Sequence, residues 1–126
     1  FEDSLTVLKA IKEKSIATAI LSNGNKEMLS AVVESNGLQP YLDKVVTIED
    51  LRLFKTDPQA YGLLLKAFPV KREEILFVSS NAWDALAAKW YGFDVFWVNR
   101  LGHPFEEIGE RPNYEGSSLS AVLKVV

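Results

Sequence analysis

Short apolar segments that alternate with longer amphipathic segments constrain the fold of this chain more than any other feature. Each apolar segment is rich in aliphatic or aromatic residues and ends at polar residues, which is typical of a buried strand. Strands are predicted at residues 16–22, 45–48, 75–79 and 94–99, and helices at residues 1–15, 26–35, 58–68, 83–91 and 118–124. Strands that alternate with helices predict an α/β fold with a parallel sheet covered on both faces.

Residues with special backbone preferences mark the predicted boundaries of the helices. Asp3 or Ser4 is expected to accept hydrogen bonds from free N–H groups at the start of the first helix. Pro58 stands in a first helical turn, where its missing N–H group costs nothing. Gly37 and Gly92 follow helical segments, and a left-handed residue at such a position ends a helix.

The composition excludes several classes of protein. The chain has 126 residues, of which 48% are hydrophobic, so it can build the core of one domain or of part of one. The net charge is −3 and the basic residues are scattered, so no nucleic-acid partner is expected. No apolar run approaches the roughly 20 residues that cross a membrane. The absence of cysteine excludes disulfides and makes a reducing cytoplasm the expected compartment.

Polar residues follow two of the predicted strands, where ligands bind in open parallel sheets. Ser22-Asn23-Gly24-Asn25 follows the first strand, and its hydroxyl, amide and free N–H groups are suited to a carboxylate or phosphate. Ser79-Ser80-Asn81-Ala82-Trp83-Asp84 follows the third strand. Both segments also fit a simpler interpretation, in which Ser and Asn cap the next helix and Asp84 favours its positive end.

Single residues elsewhere carry less information by themselves. Lys55 stands in a turn before a helix, where a lysine is usually solvated. Trp83, Trp90 and Trp97 are interpreted as core or pocket-wall residues, because no basic patch accompanies them to suggest stacking on nucleic acid. Residues 101–116 form a long irregular stretch that we interpret as a surface loop.

Together, the segments LSNG, FKTDP and ILFVSSNAWDALAAKWYGFDVFWVNR resemble the second, third and fourth motifs of the haloacid dehalogenase superfamily. The SSNAWD string is similar to the L-2-haloacid dehalogenase branch in particular. The resemblance implies a Rossmann-like core with three α/β/α layers around a parallel sheet. Residues 1–126 would be one partial core domain of that kind. It also implies a parent enzyme that removes halide from small L-2-haloacids to give D-2-hydroxyacids.

The resemblance implies a reaction without a cofactor or a metal. Phosphatases of the superfamily carry an acidic motif after the same strand, and its first carboxylate helps to hold Mg²⁺. Ser79 and Ser80 stand where that motif would begin, and Asp84 is the carboxylate that remains. Displacement of halide from a neutral carbon needs no hard cation.

The resemblance also implies individual roles. Lys55 would hold a nucleophilic carboxylate ionised, and Ser79 and Asn81 would orient both groups. Asp84 would activate the water that hydrolyses an ester intermediate. The remaining assigned residues would contact the substrate: Ser22 and Asn23 its carboxylate and halogen, Tyr61 the edge of the site, and Trp83 the alkyl group.

The nucleophilic aspartate of that family is expected on a first strand, which this chain lacks together with the cap domain. None of Asp3, Asp43, Asp50, Asp57 and Asp94 has the sequence context to replace it. The chain is therefore expected to be an inactive fragment, with edges exposed where the missing strand would lie, between residues 16–22 and 75–79. Alternatives are a phosphatase or other small-acid hydrolase of the superfamily, and a non-catalytic α/β module. A homodimer of the parent is left open.

Overall fold

The computed structural model describes residues 3–48, 57–102 and 111–126. Helices and parallel strands alternate along most of these residues. The helices are α1 (Asp3–Glu13), α2 (Lys26–Ser35), α3 (Pro58–Ala67) and α4 (Ala82–Tyr91). The strands are β1 (Ala19–Ser22), β2 (Lys44–Thr47), β3 (Leu76–Ser79), β4 (Asp94–Val98) and β5 (Tyr114–Gly116). Short 3₁₀ helices cover Gln39–Tyr41, Arg72–Glu74 and Leu119–Lys124.

Side chains at the helix starts and glycines at the helix ends account for the boundaries. Asn25, Asp57 and Asn81 cap α2, α3 and α4 by accepting hydrogen bonds from backbone N–H groups of the first turn. Gly37 and Gly92 have φ angles of 64° and 112°, which confirms that left-handed residues follow α2 and α4.

The strands pair in parallel in two groups. In the described ranges, β1 pairs with β2, and β3, β4 and β5 form a second sheet in that order. Ser22 stands opposite Thr47, and Ser79 stands opposite Trp97. β1 and β3, the strands predicted to flank a missing strand, are not hydrogen-bonded to each other in these ranges.

Successive residues of β4 face two separate hydrophobic clusters, as the period of two along a strand requires. Val95 and Trp97 belong to a cluster that also contains residues of β1, β3, α3 and α4. Phe96 and Val98 belong to a cluster with Val7 of α1. Val122 of the C-terminal 3₁₀ helix completes that second cluster. The prediction of a parallel sheet covered on both faces is confirmed.

Two expectations about local structure, the loop at residues 101–116 and the role of Asp3, were wrong. The last residues of the predicted loop at 101–116 form β5, which pairs with β4. The short helix predicted at residues 118–124 is confirmed as the 3₁₀ helix Leu119–Lys124. The Asp3 carboxylate accepts a hydrogen bond from Leu119 N instead of from the start of its own helix. None of the helices in the described ranges is long and apolar enough to cross a lipid bilayer.

Candidate active site

A buried carboxylate forms the centre of the polar cluster after β3. Asp84 lies in the first turn of α4 and is 8% exposed. Its Oδ1 accepts a hydrogen bond of 2.6 Å from the hydroxyl of Tyr61, and its Oδ2 accepts one of 2.9 Å from the Oγ of Ser79. Because hydroxyl groups hold both oxygens, the orientation of the carboxylate is fixed.

The Tyr61 side chain reaches Asp84 from the interior of the protein. Tyr61 is on α3 and is 0% exposed. Its ring packs edge-on against Phe77, with 5.4 Å between ring centroids, and against Phe93, with 6.2 Å. Tyr61 was expected at the edge of the site, and the structure joins it directly to Asp84.

The turn between β3 and α4 is organised by Ser79 and Asn81. The Oγ of Ser79 accepts a hydrogen bond of 3.1 Å from Asn81 N while it donates to Asp84. The Oδ1 of Asn81 accepts from Trp83 N and Asp84 N, so the predicted capping role of this Asn is confirmed. The amide nitrogen of Asn81 has no hydrogen-bond partner within the described ranges, so it is available to donate to a ligand.

The turn after β1 is held in a similar way. The Oγ of Ser22 accepts a hydrogen bond of 3.0 Å from Gly24 N, and the Oδ1 of Asn25 caps α2. Because the Ser22 oxygen accepts the hydrogen bond from Gly24 N, its own hydroxyl hydrogen is oriented away from Gly24. Asn23 is exposed at the surface of this turn.

The tryptophans divide between core and surface. Trp97 is 4% exposed, which confirms its interpretation as a core residue. Trp83 and Trp90 are 53% and 57% exposed, so neither is a core residue. Trp90 lines a surface cavity together with Arg72 and Tyr91.

Two further side chains contact these turns, and the sequence motifs did not predict either contact. The Oγ1 of Thr47 donates a hydrogen bond of 2.6 Å to Gly24 O. The Nε1 of Trp97 donates one of 3.3 Å to Ser80 O. The feature that could have identified them is their position in the sheet, since each residue stands opposite the last residue of the neighbouring strand.

Other aspartates of the described ranges are engaged in contacts of their own. Asp57 caps α3, and Asp94 accepts a hydrogen bond from Asn113. The Lys12 side chain and Thr18 N donate to Asp43 and lower its pKa overall, against the opposing effect of burial. For Asp3, burial raises the pKa, but hydrogen bonds and the charge of Arg100, with backbone N–H donors, lower it overall.

Lys55 and Asp50 lie outside the described residues. Within the described ranges, no three His, Cys, Asp or Glu side chains come together in a way that could hold a metal ion. Of the predicted residues, the structure therefore brings Tyr61, Ser79, Asn81 and Asp84 into one hydrogen-bonded group.

Comparison with known proteins agrees with the motifs. The model of one protein family, described as haloacid dehalogenase-like hydrolase, matches residues 1–92. The chain belongs to this family. An (S)-2-haloacid dehalogenase of Pseudomonas sp. (strain YL) is 41% identical over 118 residues, which are 94% of the chain and 51% of that enzyme. Haloacetate dehalogenase H-2 of Moraxella sp. (strain B) is 36% identical over the whole chain and 56% of its own length.

Solved structures give the same result for the fold. The crystal structure of an L-2-haloacid dehalogenase superposes on the whole chain with a TM-score of 0.96 and 44% sequence identity, and the chain covers 56% of it. The predicted partial Rossmann-like core is therefore confirmed. The chain spans about half the length of the curated relatives that it matches.

Proposed function

We propose that the whole protein is an (S)-2-haloacid dehalogenase, a hydrolase that converts L-2-haloacids into D-2-hydroxyacids through an aspartyl-ester intermediate. The observation that carries the proposal is the buried carboxylate of Asp84, held at both oxygens by Tyr61 and Ser79. The similarity to two dehalogenases over nearly the whole chain supports the same reaction. Residues 1–126 would then be one part of the catalytic core domain.

The first step needs a carboxylate nucleophile that the rest of the whole protein would supply. One of its oxygens attacks C2 of the substrate from the side opposite the halogen, so a C–O bond forms while the carbon–halogen bond breaks. Halide leaves with the bonding electron pair and the configuration at C2 is inverted. Lys55 would stabilise the ionised form of this nucleophile, since a nearby cation lowers a carboxylate pKa.

The second step is the hydrolysis of that ester, in which Asp84 acts as the general base. It removes a proton from water as the water oxygen attacks the carbonyl carbon of the ester. Asp84 returns this proton to the departing oxygen as the 2-hydroxyacid leaves, and the nucleophilic carboxyl group loses a proton to solvent and is restored to its ionised form. The fixed orientation of Asp84 favours this role, because a base must point at the proton that it removes. Ser79 and Asn81 would orient Lys55 and the nucleophile.

The substrate would be held by the turn after β1. The Ser22 hydroxyl accepts from Gly24 N, which leaves its hydrogen to donate to the substrate carboxylate. Asn23 would add an amide donor close to the halogen. Trp83, half-exposed at the start of α4, would cover the alkyl group of the substrate.

The similar proteins differ in the size of the haloacid in their names, since one of them is named a haloacetate dehalogenase. We favour a 2-substituted substrate because the relative of higher identity is an (S)-2-haloacid dehalogenase.

A cytoplasmic location also remains a prediction, based on the absence of cysteine and tested by cell fractionation. A homodimer remains a prediction as well, tested by the molar mass in solution.

The test is halide release by the whole protein from L-2-chloropropionate, D-2-chloropropionate and chloroacetate without added metal. We expect the L isomer to be consumed, and both Asp84→Asn and Lys55→Ala to lose most turnover. Lys66→Ala serves as a control, because Lys66 is exposed on α3. Turnover that survives both Asp84→Asn and Lys55→Ala would reject the assigned roles, and Mg²⁺-dependent phosphate release would favour a phosphatase instead.

A single turnover in H₂¹⁸O distinguishes the ester route from direct attack of water. With enzyme in excess, the ester route gives a hydroxyacid whose hydroxyl oxygen comes from the nucleophilic carboxylate and carries no label. Direct attack of water on C2 would place ¹⁸O in the product at once. Labelled product from the first turnover would therefore overturn the proposed intermediate.

A further inference from the structure

The two polar turns are each tied to the neighbouring strand by a side chain in the same relative position. Thr47 of β2 stands opposite Ser22 of β1, and Trp97 of β4 stands opposite Ser79 of β3. Each side chain extends past its strand partner to a backbone carbonyl of the following turn. Thr47 Oγ1 donates to Gly24 O at 2.6 Å, and Trp97 Nε1 donates to Ser80 O at 3.3 Å.

These bonds hold turn residues that are bonded or adjacent to residues of the proposed active site. Gly24 is held at its carbonyl by Thr47 and at its N–H group by Ser22, so the conformation of the turn and the Ser22 hydroxyl are coupled. Ser80 lies between Ser79 and Asn81, whose side chains organise the Asp84 site. Trp97 is itself 4% exposed, so its indole is a rigid anchor for the carbonyl that it binds.

We propose that Thr47 and Trp97 are positioning residues, each of which fixes one polar turn of the active site from the neighbouring strand. This inference rests on the proposed function and deepens it. Because the Ser22 turn would bind the substrate carboxylate, the loss of the Thr47 bond affects substrate binding. Because the Ser79 turn organises Asp84, the loss of the Trp97 bond affects hydrolysis of the ester.

The first experiment separates the two effects in steady-state kinetics of the whole protein. Thr47→Val removes the hydroxyl and raises KM for L-2-chloropropionate about threefold to tenfold, as expected from the net strength of one hydrogen bond, with little change in kcat. Thr47→Ser retains the hydroxyl and restores KM. Thr18→Val is the matched control, because Thr18 Oγ1 also donates to a backbone carbonyl, that of Tyr41, but from the residue before β1.

Trp97→Phe removes the indole donor and lowers kcat by a similar factor. Slower hydrolysis makes the covalent ester accumulate, and mass spectrometry of the acid-quenched protein during turnover detects it. Trp90→Phe is the control, since Trp90 is exposed on α4. Equal KM values in Thr47→Val and Thr47→Ser, or no accumulated ester in Trp97→Phe, would overturn the proposal.

Amide hydrogen exchange tests the same inference without activity. Thr47→Val accelerates exchange of the Gly24 amide, and Trp97→Phe accelerates exchange of the Asn81 amide, whereas Thr18→Val changes neither. If the native protein releases no halide, the proposed function fails while these exchange rates still decide the positioning roles. If the native protein is active and the exchange rates are unchanged, only the positioning proposal fails.

Discussion

The Asp84 carboxylate depends on two hydroxyl groups from different parts of the chain. Ser79 is only a few residues away, so its 2.9 Å hydrogen bond follows from the turn between β3 and α4. Tyr61 comes from α3, and its 2.6 Å hydrogen bond requires α3 and α4 to pack side by side. Both partners of this second bond are buried, so water cannot readily replace either one.

Replacing Tyr61 with Phe should therefore destabilise the protein. The change removes the hydrogen bond from the Tyr61 hydroxyl to Asp84 Oδ1, and a hydrogen bond to a charged group contributes about 1.5–3 kcal/mol. The free energy of unfolding in urea measures the loss. Tyr114→Phe is the matched control, because Tyr114 is exposed and its hydroxyl makes no hydrogen bond within the described ranges. Equal stability of the two variants would contradict the assigned bond.

Individual site residues could be predicted to different extents. The motif around Ser79, Asn81 and Asp84 is local, so the sequence could indicate that these side chains act together. For Tyr61, only a position at the edge of the site could be predicted, and its hydrogen bond to Asp84 could not. The hydrogen bonds of Thr47 and Trp97 depend on strand register, and no local pattern shows which residues of two strands stand opposite each other.

The glycines that end α2 and α4 differ in their surroundings. Gly37 has nothing within 4 Å of the position that a Cβ atom would occupy. A Cβ at Gly92 would lie 3.2 Å from Cδ of Arg72, and φ at Gly92 is 112°. Both the backbone conformation and the packing against a neighbouring side chain thus favour glycine at the end of α4.

Substitution of each glycine by alanine should separate these two contributions. Gly37→Ala introduces only backbone strain, which costs about 1–2 kcal/mol for a left-handed residue with a Cβ atom. Gly92→Ala adds the contact with Arg72 and should lower the free energy of unfolding further. Chemical unfolding of both variants measures the difference. If Gly92→Ala is no less stable than Gly37→Ala, the contact with Arg72 has no energetic effect.

Elements with a strong local pattern were predicted close to their observed limits, and the others were not. The caps at Asn25 and Asn81 and the glycines after α2 and α4 mark boundaries in the sequence itself. Strand β5 has no such signal, because Tyr114 and Glu115 are both exposed. It becomes a strand because β4 offers an unpaired edge to it.

Asp3 joins parts of the chain that are distant in sequence. Its carboxylate accepts a hydrogen bond of 3.3 Å from Arg100 and one of 2.9 Å from Leu119 N. These contacts connect the start of α1, the segment after β4 and the C-terminal 3₁₀ helix. Val7 and Val122 pack in one hydrophobic cluster beneath them.

This arrangement predicts that the free energy of unfolding decreases at acidic pH. The pKa of Asp3 is lowered in the folded protein, despite the opposing effect of burial, by its contacts with Arg100 and backbone N–H groups. The unfolded chain therefore binds this proton more tightly than the folded protein does. The stabilisation is fully present above the pKa of Asp3 in the unfolded chain and is lost as pH falls through its lower pKa in the folded protein.

Urea unfolding midpoints between pH 6 and pH 3 measure this effect. We expect Asp3→Asn to lose less stability than the native protein over this interval, because it lacks the carboxylate that becomes protonated. Arg100→Gln should reduce the acid sensitivity in the same direction, since it removes the cation that lowers the pKa of Asp3. Parallel profiles for the native protein and Asp3→Asn would show that this contact does not contribute.

Hydrophobic period, caps and motif strings are local properties, and they were enough to predict the order of helices and strands, the α/β class and the family. The strand pairs, their register and the hydroxyl groups that reach Asp84 became known from the folded structure alone. These features are not local, because hydrogen bonds between distant residues form only after burial of apolar faces has brought their elements together. The same burial makes the bond from Tyr61 to Asp84 effective, because it removes the water that would compete for the Tyr61 hydroxyl.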